Sequence, residues 1–396
     1  MTPRTNRRRF IQLTAGTLGG VLTGTRAFAA AAPQRAAVIG ATGRGDYGHG
    51  IDVIFNGRAG IELVALSDPD AAGRARAAEK LKAPRQYADY RELLAKEKPQ
   101  LVALCPRQTI DRHTMALDIL RAGAHIYSEK PFTSTLAEAD ELLAESGKRG
   151  LKIAVAHQTR MMPNIVHLKK TATEGLLGDL LEIHAWGKQD ARAGGEDMMV
   201  LGTHMFDLMR LYAGDATWCT ARVLTKGRDI TVADARLTKD FIGPVAGDEI
   251  HAQFAFANGV NGTFTSRNAM RLTTGNWGIE LIGSKARAKI NANIPPRILH
   301  CLNTDWKPDG RTDIWKPIPG DPLTGTPDSA NGFPSANSRL VDNWLASIAA
   351  NHEPECSGRN AMKAIEMVMA VYHAGLSGRR VTLPLVDRSH PLAATK

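Results

Sequence analysis

The chain has 396 residues, which is long for one hydrophobic core and suits two domains. Hydrophobic residues make up 43% and charged residues 23%, and neither a low-complexity tract nor a regular repeat is present, which excludes a disordered or solenoid protein. The formal net charge of +10 falls to +5 without the five arginines of residues 1–29, a surplus too small to point to nucleic-acid binding.

Residues 1–29 have the pattern of a twin-arginine export signal. Three arginines at 7–9 precede a weakly apolar run at 13–23, and Ala27-Phe28-Ala29 has the small-x-small form of a cleavage site. The apolar run is too short for a stable membrane anchor. We therefore predict cleavage near Ala29 and a periplasmic protein. A disordered basic tail and an uncleaved anchor are the alternatives.

Residues 35–156 alternate short apolar strands with helical patterns. Strands are predicted at 36–40, 61–67, 101–105, 125–128 and 153–156, and the clearest helices at 90–96, 113–122 and 136–149. Continuous apolar strands joined by helical crossovers indicate a parallel sheet with both faces covered. With right-handed connections this is a doubly wound α/β domain of the Rossmann type, predicted to cover 33–156.

The first strand ends in a glycine-rich turn, Gly40-Ala41-Thr42-Gly43-Arg44-Gly45, which is predicted to lead into a helix. Such a turn brings backbone amides close to a dinucleotide pyrophosphate, although Thr42 stands where the motif has its middle glycine. The second strand ends at Asp68, a carboxylate placed where an adenosine ribose would lie. Together these features predict a nicotinamide-dinucleotide site, and Asp68 favours NAD over NADP because it would repel a 2′-phosphate. For the turn alone, the alternative is a glycine-rich loop without function.

Glu129-Lys130-Pro131 follows the fifth strand. The carboxyl end of such a strand faces the crevice where the nicotinamide would lie. Burial and a neighbouring cationic ring would lower the pKa of Lys130, which suits this lysine to carry a proton to or from an alcohol oxygen. A surface lysine at a strand end is the alternative. The Lys130–Pro131 bond is a candidate for a cis peptide.

After residue 156 the pattern changes to a predicted α+β domain over 157–390. Strands are predicted at 180–186, 217–224, 249–256, 262–266, 277–282, 286–290 and 381–385, and helices at 196–212, 335–350 and 359–376. Turn signals at Asn258-Gly259 and Gly283-Ser284 indicate a large, open, mostly antiparallel sheet. The segment 299–336 is expected to be irregular, and its Trp306 and Trp315 are candidates for stacking on a sugar ring or for anchoring the loop.

The four cysteines are far apart in sequence, and none belongs to a Cys-x-x-Cys pair. Because they also lack the spacing of metal ligands, no metal site is predicted. Buried free thiols are expected, and the spacing assigns no disulfide pairing.

These motifs together resemble the glucose–fructose oxidoreductase (Gfo/Idh/MocA) family over about residues 35–385. The matching positions are 40–45, Asp68, Pro106, His113, 122–131, Arg160, 202–204 with Asp207, and 378–384. The resemblance implies a Rossmann domain with Pro106, His113, Glu129 and Lys130 at the cofactor, His113 orienting rather than reacting. It also implies an open-sheet domain that often mediates homo-oligomers, and a sugar, inositol or related polyol as substrate. Lys130 and His204 match catalytic positions, and Arg160 falls at the substrate or, as the alternative, in an ion pair between the domains.

The chain departs from this family at one position. Family members commonly have an aspartate four residues before the histidine, where this chain has Val200. Asp197 lies two helical turns before His204 and is a candidate substrate-site residue. It could replace the missing carboxylate only if the helix has a different direction from the one usual in the family. A buried core histidine is the alternative for His204.

Export constrains the mechanism, because it separates the enzyme from the cytoplasmic nicotinamide pool. The twin-arginine route carries folded proteins, so we expect a tightly bound NAD(H) that is reduced and reoxidised within one catalytic cycle. The leading hypothesis is an oxidoreductase acting on the CH–OH group of a sugar or polyol. The alternatives are an NAD-dependent glycosidase or epimerase working through transient oxidation, and a sugar-binding pseudo-enzyme that has lost the carboxylate.

Overall fold

The computed structural model describes residues 32–268, 277–304 and 309–393. The first part of the chain forms the strands β1 (Gln34–Ile39), β2 (Ile61–Ser67), β3 (Gln86–Tyr87), β4 (Leu101–Leu104), β5 (His125–Ser128) and β6 (Ile153–Val155). All are parallel, in the order β3-β2-β1-β4-β5-β6. This is the strand order of a dinucleotide-binding Rossmann sheet, so the predicted fold class is confirmed for this part.

Four helices connect these strands: α1 (Ala71–Leu81), α2 (Tyr90–Glu97), α3 (Arg112–Arg121) and α4 (Leu136–Arg149). Local sequence sets where they begin. Asp70 accepts a hydrogen bond from the Gly73 amide at the start of α1, and Thr135 forms a capping box with Glu138 at the start of α4. The helices cover the sheet and leave the carboxyl ends of its strands at one common edge.

The connection between β1 and β2 differs from the prediction. Residues 40–60 form a series of turns without a helix. Gly45 and Gly48 have φ values of +91° and +64°, which an α-helix does not allow. The apolar side chains of Ile51, Ile54 and Phe55 are nevertheless buried beside β1. The predicted helix after Gly45 is therefore wrong, and no helix N-terminus is present there for a pyrophosphate.

The second part of the chain builds a large open sheet. Its strands are β7 (Leu180–Trp186), β8 (Ala216–Thr225), β9 (Arg228–Asp229), β12 (Glu249–Phe256), β13 (Asn261–Arg267), β14 (Gly278–Gly283), β15 (Arg287–Asn291), β16 (Arg297–Cys301), β17 (Lys316–Pro317) and β18 (Val381–Thr382), and a small hairpin has β10 (Arg236–Leu237) and β11 (Pro244–Val245). The order is β17-β16-β15-β14-β7-β13-β12-β8-β18, with β9 beside β8. Every pair except β13 with β7 is antiparallel, which confirms the predicted mostly antiparallel sheet.

The remaining helices are α5 (Pro163–Thr173), α6 (Gly195–Asp197), α7 (Thr203–Ala213), α8 (Phe333–Ala349) and α9 (Gly358–Ser377). The helix predicted at 196–212 is not continuous, because a π-helical turn at Met198–Gly202 separates α6 from α7. Helix α9 is buried along most of its length and packs against β8, α7 and α4. One hydrophobic core therefore extends from the Rossmann part into the second part.

Several smaller predictions can be compared with the structure. Cys105, Cys219, Cys301 and Cys356 are buried and free, as predicted. Trp306 lies outside the described residues, and Trp315 lies over Arg287 and Lys289 of the second sheet, at 5.3 Å and 5.1 Å from the ring centroid.

Within the described residues, no helix combines the length and the apolar character needed to cross a bilayer.

Candidate active site

An open cleft lies at the carboxyl ends of β1, β2 and β3 and beside the start of α3, where a Rossmann sheet binds the adenosine half of a dinucleotide. It encloses about 560 Å³, and Gly40, Ser67 and Tyr90 lie on its wall. Of the residues predicted to bind cofactor, Gly40 and Arg44 line this cleft. Arg44 also forms an ion pair with Asp111 at the rim.

Asp68 does not face this cleft, contrary to the prediction. Its side chain is fully buried and accepts hydrogen bonds from Thr42 Oγ1 at 2.7 Å, from the Thr42 amide at 3.1 Å and from the Asp70 amide at 3.0 Å. Both carboxylate oxygens are therefore used to hold the glycine-rich turn against the start of α1. The Thr42 hydroxyl supplies the shortest of these hydrogen bonds, and a glycine at this position would leave only the two backbone donors.

The sequence also contains a full G-x-G-x-x-G motif at Gly43, Gly45 and Gly48, which reasoning from the first glycine after β1 misses. A Cβ on Gly45 would lie 2.4 Å from the Arg107 amide nitrogen, and one on Gly48 would lie 2.6 Å from Cγ of Glu129. A larger residue at either position would displace these neighbours. The turn is thus held tightly against the ends of β4 and β5. The spacing of its three glycines is the sequence signal from which this turn can be predicted.

The Glu129 carboxylate is enclosed beneath the turn. Its Oε1 accepts a hydrogen bond from the His49 amide at 2.7 Å and lies 2.6 Å from His49 Nδ1, and its Oε2 accepts one from the Lys130 amide at 2.8 Å. Burial acts to raise the pKa of this carboxyl, but the contacts with His49 outweigh it and lower the pKa to about 2. Glu129 is therefore an anion that fixes the turn beside Lys130, and it does not line the cleft described above.

Arg112 is a buried residue of the site that sequence reasoning misses. Its guanidinium donates to the carbonyl oxygens of Pro106, at 3.1 Å, of Glu129, at 2.9 Å, and of Pro131. It ties together the segments that follow β4 and β5, and it occupies the Pro106 carbonyl. Because these acceptors come from two segments that are distant in sequence, only the fold brings them together.

His113, predicted to lie at the cofactor, instead contacts a neighbouring helix. Its Nε2 is 2.9 Å from Oε2 of Glu141 on α4. The side chain therefore braces α3 against α4, and the adjacent Arg112 is the residue that enters the site.

Lys130 lines a second cleft, between the end of β5 and the loop that follows β7. Its side chain is 6% exposed, its Nζ donates to the Val200 carbonyl at 3.2 Å, and its bond to Pro131 is cis. Burial lowers the pKa of Lys130 to about 8; Glu129 opposes this shift and Arg107 adds to it. A neutral amine is therefore accessible near physiological pH, as proton exchange with an alcohol requires.

The π turn at Met198–Gly202 explains why the Val200 carbonyl can accept this hydrogen bond. An α-helical amide bonds to the carbonyl four residues back, whereas a π-helical amide bonds five residues back. Where the π turn returns to the α-helix of α7, one backbone carbonyl therefore receives no hydrogen bond from an amide of the helix. Lys130 donates to a carbonyl of this turn, at the position where the family has its aspartate.

Asp197 does not take the place of that aspartate. Its Oδ2 accepts a hydrogen bond from Ser266 Oγ on β13 at 2.7 Å, and a Cβ on Gly187 would lie 1.9 Å from it. Burial raises the pKa of the Asp197 carboxyl. Because the π turn changes the helical register, the seven-residue spacing of Asp197 and His204 does not place them on one face as it would in a regular α-helix. The predicted substrate contact of Asp197 is replaced by this contact with β13.

His204 lies in the first turn of α7 and is buried between His157 and Trp277. The centroid of the His204 ring lies 5.1 Å from the centroid of the His157 ring and 5.6 Å from that of the Trp277 ring. Burial first, and then the charges of His157 and Lys130, hold the pKa of His204 well below its usual value, so the ring is neutral. Among the described residues, His204 Nδ1 has no hydrogen-bond partner. The fold thus brings Lys130 and His204 from distant parts of the chain into one electrostatically coupled cluster.

Arg160 forms an ion pair, the alternative to the predicted substrate contact. Its Nε and Nη2 donate to the Asp207 carboxylate at 2.9 Å and 2.8 Å, and both side chains are buried. Asp207 Oδ1 also lies 3.9 Å from His157 Nδ1. The pair fixes the segment after β6 to α7, directly behind His157 and His204.

The two clefts together fit a nicotinamide dinucleotide. Arg44 lines the first cleft, Arg107 lines the second, and the tight turn at Gly45 lies between them in contact with the Arg107 amide. An adenosine end and a nicotinamide end are therefore both present beside a glycine-rich turn that approaches closely enough for a pyrophosphate. The ribose contact predicted for Asp68 is the part of this arrangement that the structure does not provide.

Comparison with known proteins agrees with this geometry. D-apiose dehydrogenase from Paraburkholderia graminis is 24% identical over 347 residues, which cover 84% of this chain and 86% of that protein. The structure of a levoglucosan dehydrogenase in complex with NADH and levoglucosan has a TM-score of 0.71 at 18% identity and covers 89% of this chain and 100% of its own. An oxidoreductase domain protein from Kribbella flavida has a TM-score of 0.70 at 22% identity, with coverage of 89% and 100%. Both solved structures share the fold.

Two family models match the chain along most of its length. Residues 34–157 match the model for the oxidoreductase family with an NAD-binding Rossmann fold, and residues 171–383 match the model for the C-terminal alpha/beta domain of the same family. The chain therefore belongs to the Gfo/Idh/MocA family of NAD-binding oxidoreductases.

Proposed function

We propose that this enzyme transfers hydride between NAD and a CH–OH group of a sugar or polyol. The observation that carries the proposal is the buried Lys130 at the end of β5, whose pKa of about 8 lets its amine exchange a proton with an alcohol. The family supplies the redox chemistry, and the apiose and levoglucosan dehydrogenases to which the chain is similar support the substrate class.

Side chains of this protein transfer the proton, while NAD, when bound, would accept the hydride. Neutral Lys130 takes the proton of the substrate hydroxyl and returns it as an ammonium in the reverse direction. The Val200 carbonyl orients Nζ by accepting a hydrogen bond from it. His204 is buried close enough to Lys130 for the two charges to act on each other, and its Nδ1 has no hydrogen-bond partner among the described residues. Burial of both side chains excludes water and strengthens these hydrogen bonds.

The direct test is a single-turnover measurement on the purified protein with its own nucleotide. The nucleotide released by denaturation is identified by mass, and the intact protein is then mixed with aldoses, inositols and glycosides while nucleotide reduction is followed by absorbance. Reduction by at least one of these compounds is expected. If a panel covering all three classes gives no reduction, the proposal is wrong.

We propose NAD rather than NADP as the cofactor, on the charges around the adenosine cleft. Both arginines at its rim are engaged, Arg44 with Asp111 and Arg91 with Asp118, the latter at 3.3 Å. A 2′-phosphate would thus meet paired cations and the carboxylate of Asp89, which also lines the cleft. We also propose that the nucleotide is held tightly enough to copurify, a point that the mass measurement checks.

A second candidate is transient oxidation, in which hydride returns to the substrate after elimination or epimerisation. Such a cycle needs a base besides Lys130, to remove the C–H proton that the ketone acidifies. His204 and His157 are in ring contact, and the pKa of each is lowered by burial. Product without net nucleotide reduction would favour this candidate, and equal amounts of product and reduced nucleotide would favour the first.

We further propose that residues 1–29, which lie outside the described residues, direct twin-arginine export and are cleaved near Ala29, leaving domains over 33–156 and 157–390. The support is the arginine run and the small-x-small site in the sequence. Replacing Arg7 and Arg8 by lysine is expected to hold the protein in the cytoplasm, whereas unchanged periplasmic recovery would contradict the proposal.

We propose a homo-oligomer formed through the face of the second sheet opposite to α7 and α9. On this face, Lys289 lies over the rings of both Trp186 and Trp315, at 5.6 Å and 5.1 Å from their centroids. Aromatic residues and arginine are enriched in interfaces, and Arg287 also lies over the Trp315 ring, at 5.3 Å from its centroid. Light scattering coupled to size exclusion measures the assembly, and a monomeric mass at micromolar concentration would contradict it.

A further inference from the structure

The second cleft is strongly cationic. It encloses about 90 Å³, and four cationic side chains, Arg107, Lys130, Lys188 and Arg192, line it with a single carboxylate, that of Asp240. The cations come from three separate segments: the end of β4, the end of β5, and the loop between β7 and α6. Folding therefore brings together like charges that repel one another, at a cost in stability unless an anion binds among them.

These charges are largely uncompensated by the protein. Among the described residues, neither Arg107 nor Lys188 has a carboxylate within ion-pair distance, and Arg192 reaches only Asp190, at 3.5 Å. Arg107 and Arg192 are close enough to Lys130 to act on its charge. Both guanidinium groups thus add positive potential at the proton-carrying amine, and the buried Glu129 carboxylate opposes it.

The cofactor accounts for only part of this charge. Arg107 touches the glycine-rich turn through its amide, so it belongs to the region of the pyrophosphate. Lys188 and Arg192 belong to the loop after β7, on the opposite side of the cleft from the Rossmann strands. The oxidised nicotinamide ring is itself cationic, so these two side chains would repel it unless the substrate brought negative charge.

We propose that the substrate is an anionic sugar, bearing a carboxylate or a phosphate, and that Lys188 and Arg192 bind this charge. The inference rests on the proposed sugar or polyol chemistry and narrows its substrate class. An anionic group between the two cations pairs with both through charge-assisted hydrogen bonds and places a hydroxyl of the same molecule near Lys130.

Calorimetric binding to the purified holoenzyme tests this without requiring turnover. Two matched sets of ligands serve as probes: glucose, glucuronate and glucose 6-phosphate, and galactose, galacturonate and galactose 6-phosphate. At least one anionic ligand is expected to bind about tenfold more tightly than its neutral parent, with an affinity that falls as salt is added. The uronates and the phosphates separate the two sources of charge. Equal or weaker binding of every anionic ligand, or no binding by any, overturns the proposal.

Two variants locate the charge. Lys188→Met and Arg192→Met keep the unbranched stem of each side chain but remove its charged end, and Lys316→Met on the edge strand β17 is the matched control. Each cleft variant is expected to reduce the affinity ratio of anionic to neutral ligand about tenfold, while the control leaves the ratio unchanged. An unchanged ratio in both cleft variants overturns the assignment. Tight binding of an anionic sugar without nucleotide reduction would contradict the proposed function and leave this inference intact.

Discussion

Nζ of Lys130 donates a hydrogen bond to the backbone carbonyl of Val200 at 3.2 Å, at the helix position where the family commonly has an aspartate. The acceptor at this point is therefore a neutral carbonyl, not an anionic side chain. A carboxylate would stabilise the ammonium form of Lys130, whereas a carbonyl does so only weakly. This difference makes the π turn, and not only the residue that fills position 200, part of the site.

The first prediction concerns Val200→Asp. Oxidation of an alcohol needs the neutral amine, so the wild-type rate is expected to rise with pH around the Lys130 pKa of about 8. An opposite charge within a few ångströms favours the ammonium, so the midpoint should move up by about one to three pH units. The pH profile of kcat/KM measures it.

The control for that variant is Val200→Asn, which has a similar shape and no charge and is expected to leave the midpoint close to wild type. An unmoved midpoint in Val200→Asp would mean that position 200 does not act on Lys130.

The second prediction is that Lys130→Met slows single-turnover nucleotide reduction by about 10²- to 10⁴-fold, the usual contribution of positioned proton transfer. Bound nucleotide should be retained, because the adenosine cleft and the glycine-rich turn are untouched. Lys316→Met, on an exposed edge strand, is the control. If Lys130→Met reduces the nucleotide at the wild-type rate, Lys130 is not the residue that transfers the proton.

Much of the fold could be predicted from the sequence because local patterns determine it. The strands Ile61–Ser67, His125–Ser128 and Glu249–Phe256 and the helix Leu136–Arg149 match their predicted bounds. Each is a continuous apolar or alternating run, or carries its own cap. The helix predicted after Gly45 is absent because the glycines of this segment adopt left-handed φ values.

The site was only partly predictable, because its roles depend on partners far away in sequence. Lys130 and His204 could be placed by motif, but nothing local indicates that Thr42 takes both oxygens of Asp68, or that Arg160 pairs with Asp207. The π turn was equally hidden, because Met198–Gly202 consists entirely of apolar residues and glycine and so shows no change of phase. These contacts become visible only when distant elements are packed together.

The third prediction follows from the enclosed carboxylate of Asp68. Asp68→Asn places an NH2 group, which cannot accept a hydrogen bond, where Thr42 now donates to a carboxylate oxygen. A buried donor of Thr42 then lacks an acceptor, which should lower the free energy of unfolding by about 1–3 kcal/mol. The ratio of NAD to NADP affinity should remain as in wild type, because the residue does not line the adenosine cleft. Urea unfolding and nucleotide titration measure the two effects.

Asp89→Asn is the matched control for Asp68→Asn. Asp89 is exposed at the rim of the cleft, and an asparagine there still caps α2, so its stability should change little. A tenfold gain in relative NADP affinity for Asp68→Asn would show that the carboxylate contacts the ribose after all.

The fourth prediction concerns the buried pair of Arg160 and Asp207. Removing one partner leaves an uncompensated buried charge, so Asp207→Asn is expected to lower the free energy of unfolding by about 3–5 kcal/mol. Arg160→Met with Asp207→Leu together should cost less than the sum of the single changes, because no charge is left unpaired. Asp229→Asn, which breaks the exposed pair with Arg222, is the control and should cost less than about 1 kcal/mol.

The pH dependence of this effect has a definite sign. Burial acts to raise the pKa of Asp207, but the charge of Arg160 outweighs it and the pKa is lowered in the folded state. The stability that the carboxylate contributes is therefore fully present above its unfolded pKa of about 3.9 and is lost as the pH falls through the lower folded value. The difference between wild type and Asp207→Asn should be constant from pH 7 to about pH 5 and shrink below about pH 4. Urea unfolding across this range measures it. A difference that grows toward acid pH would mean that Asp207 is protonated in the native protein and that the pair is not ionic.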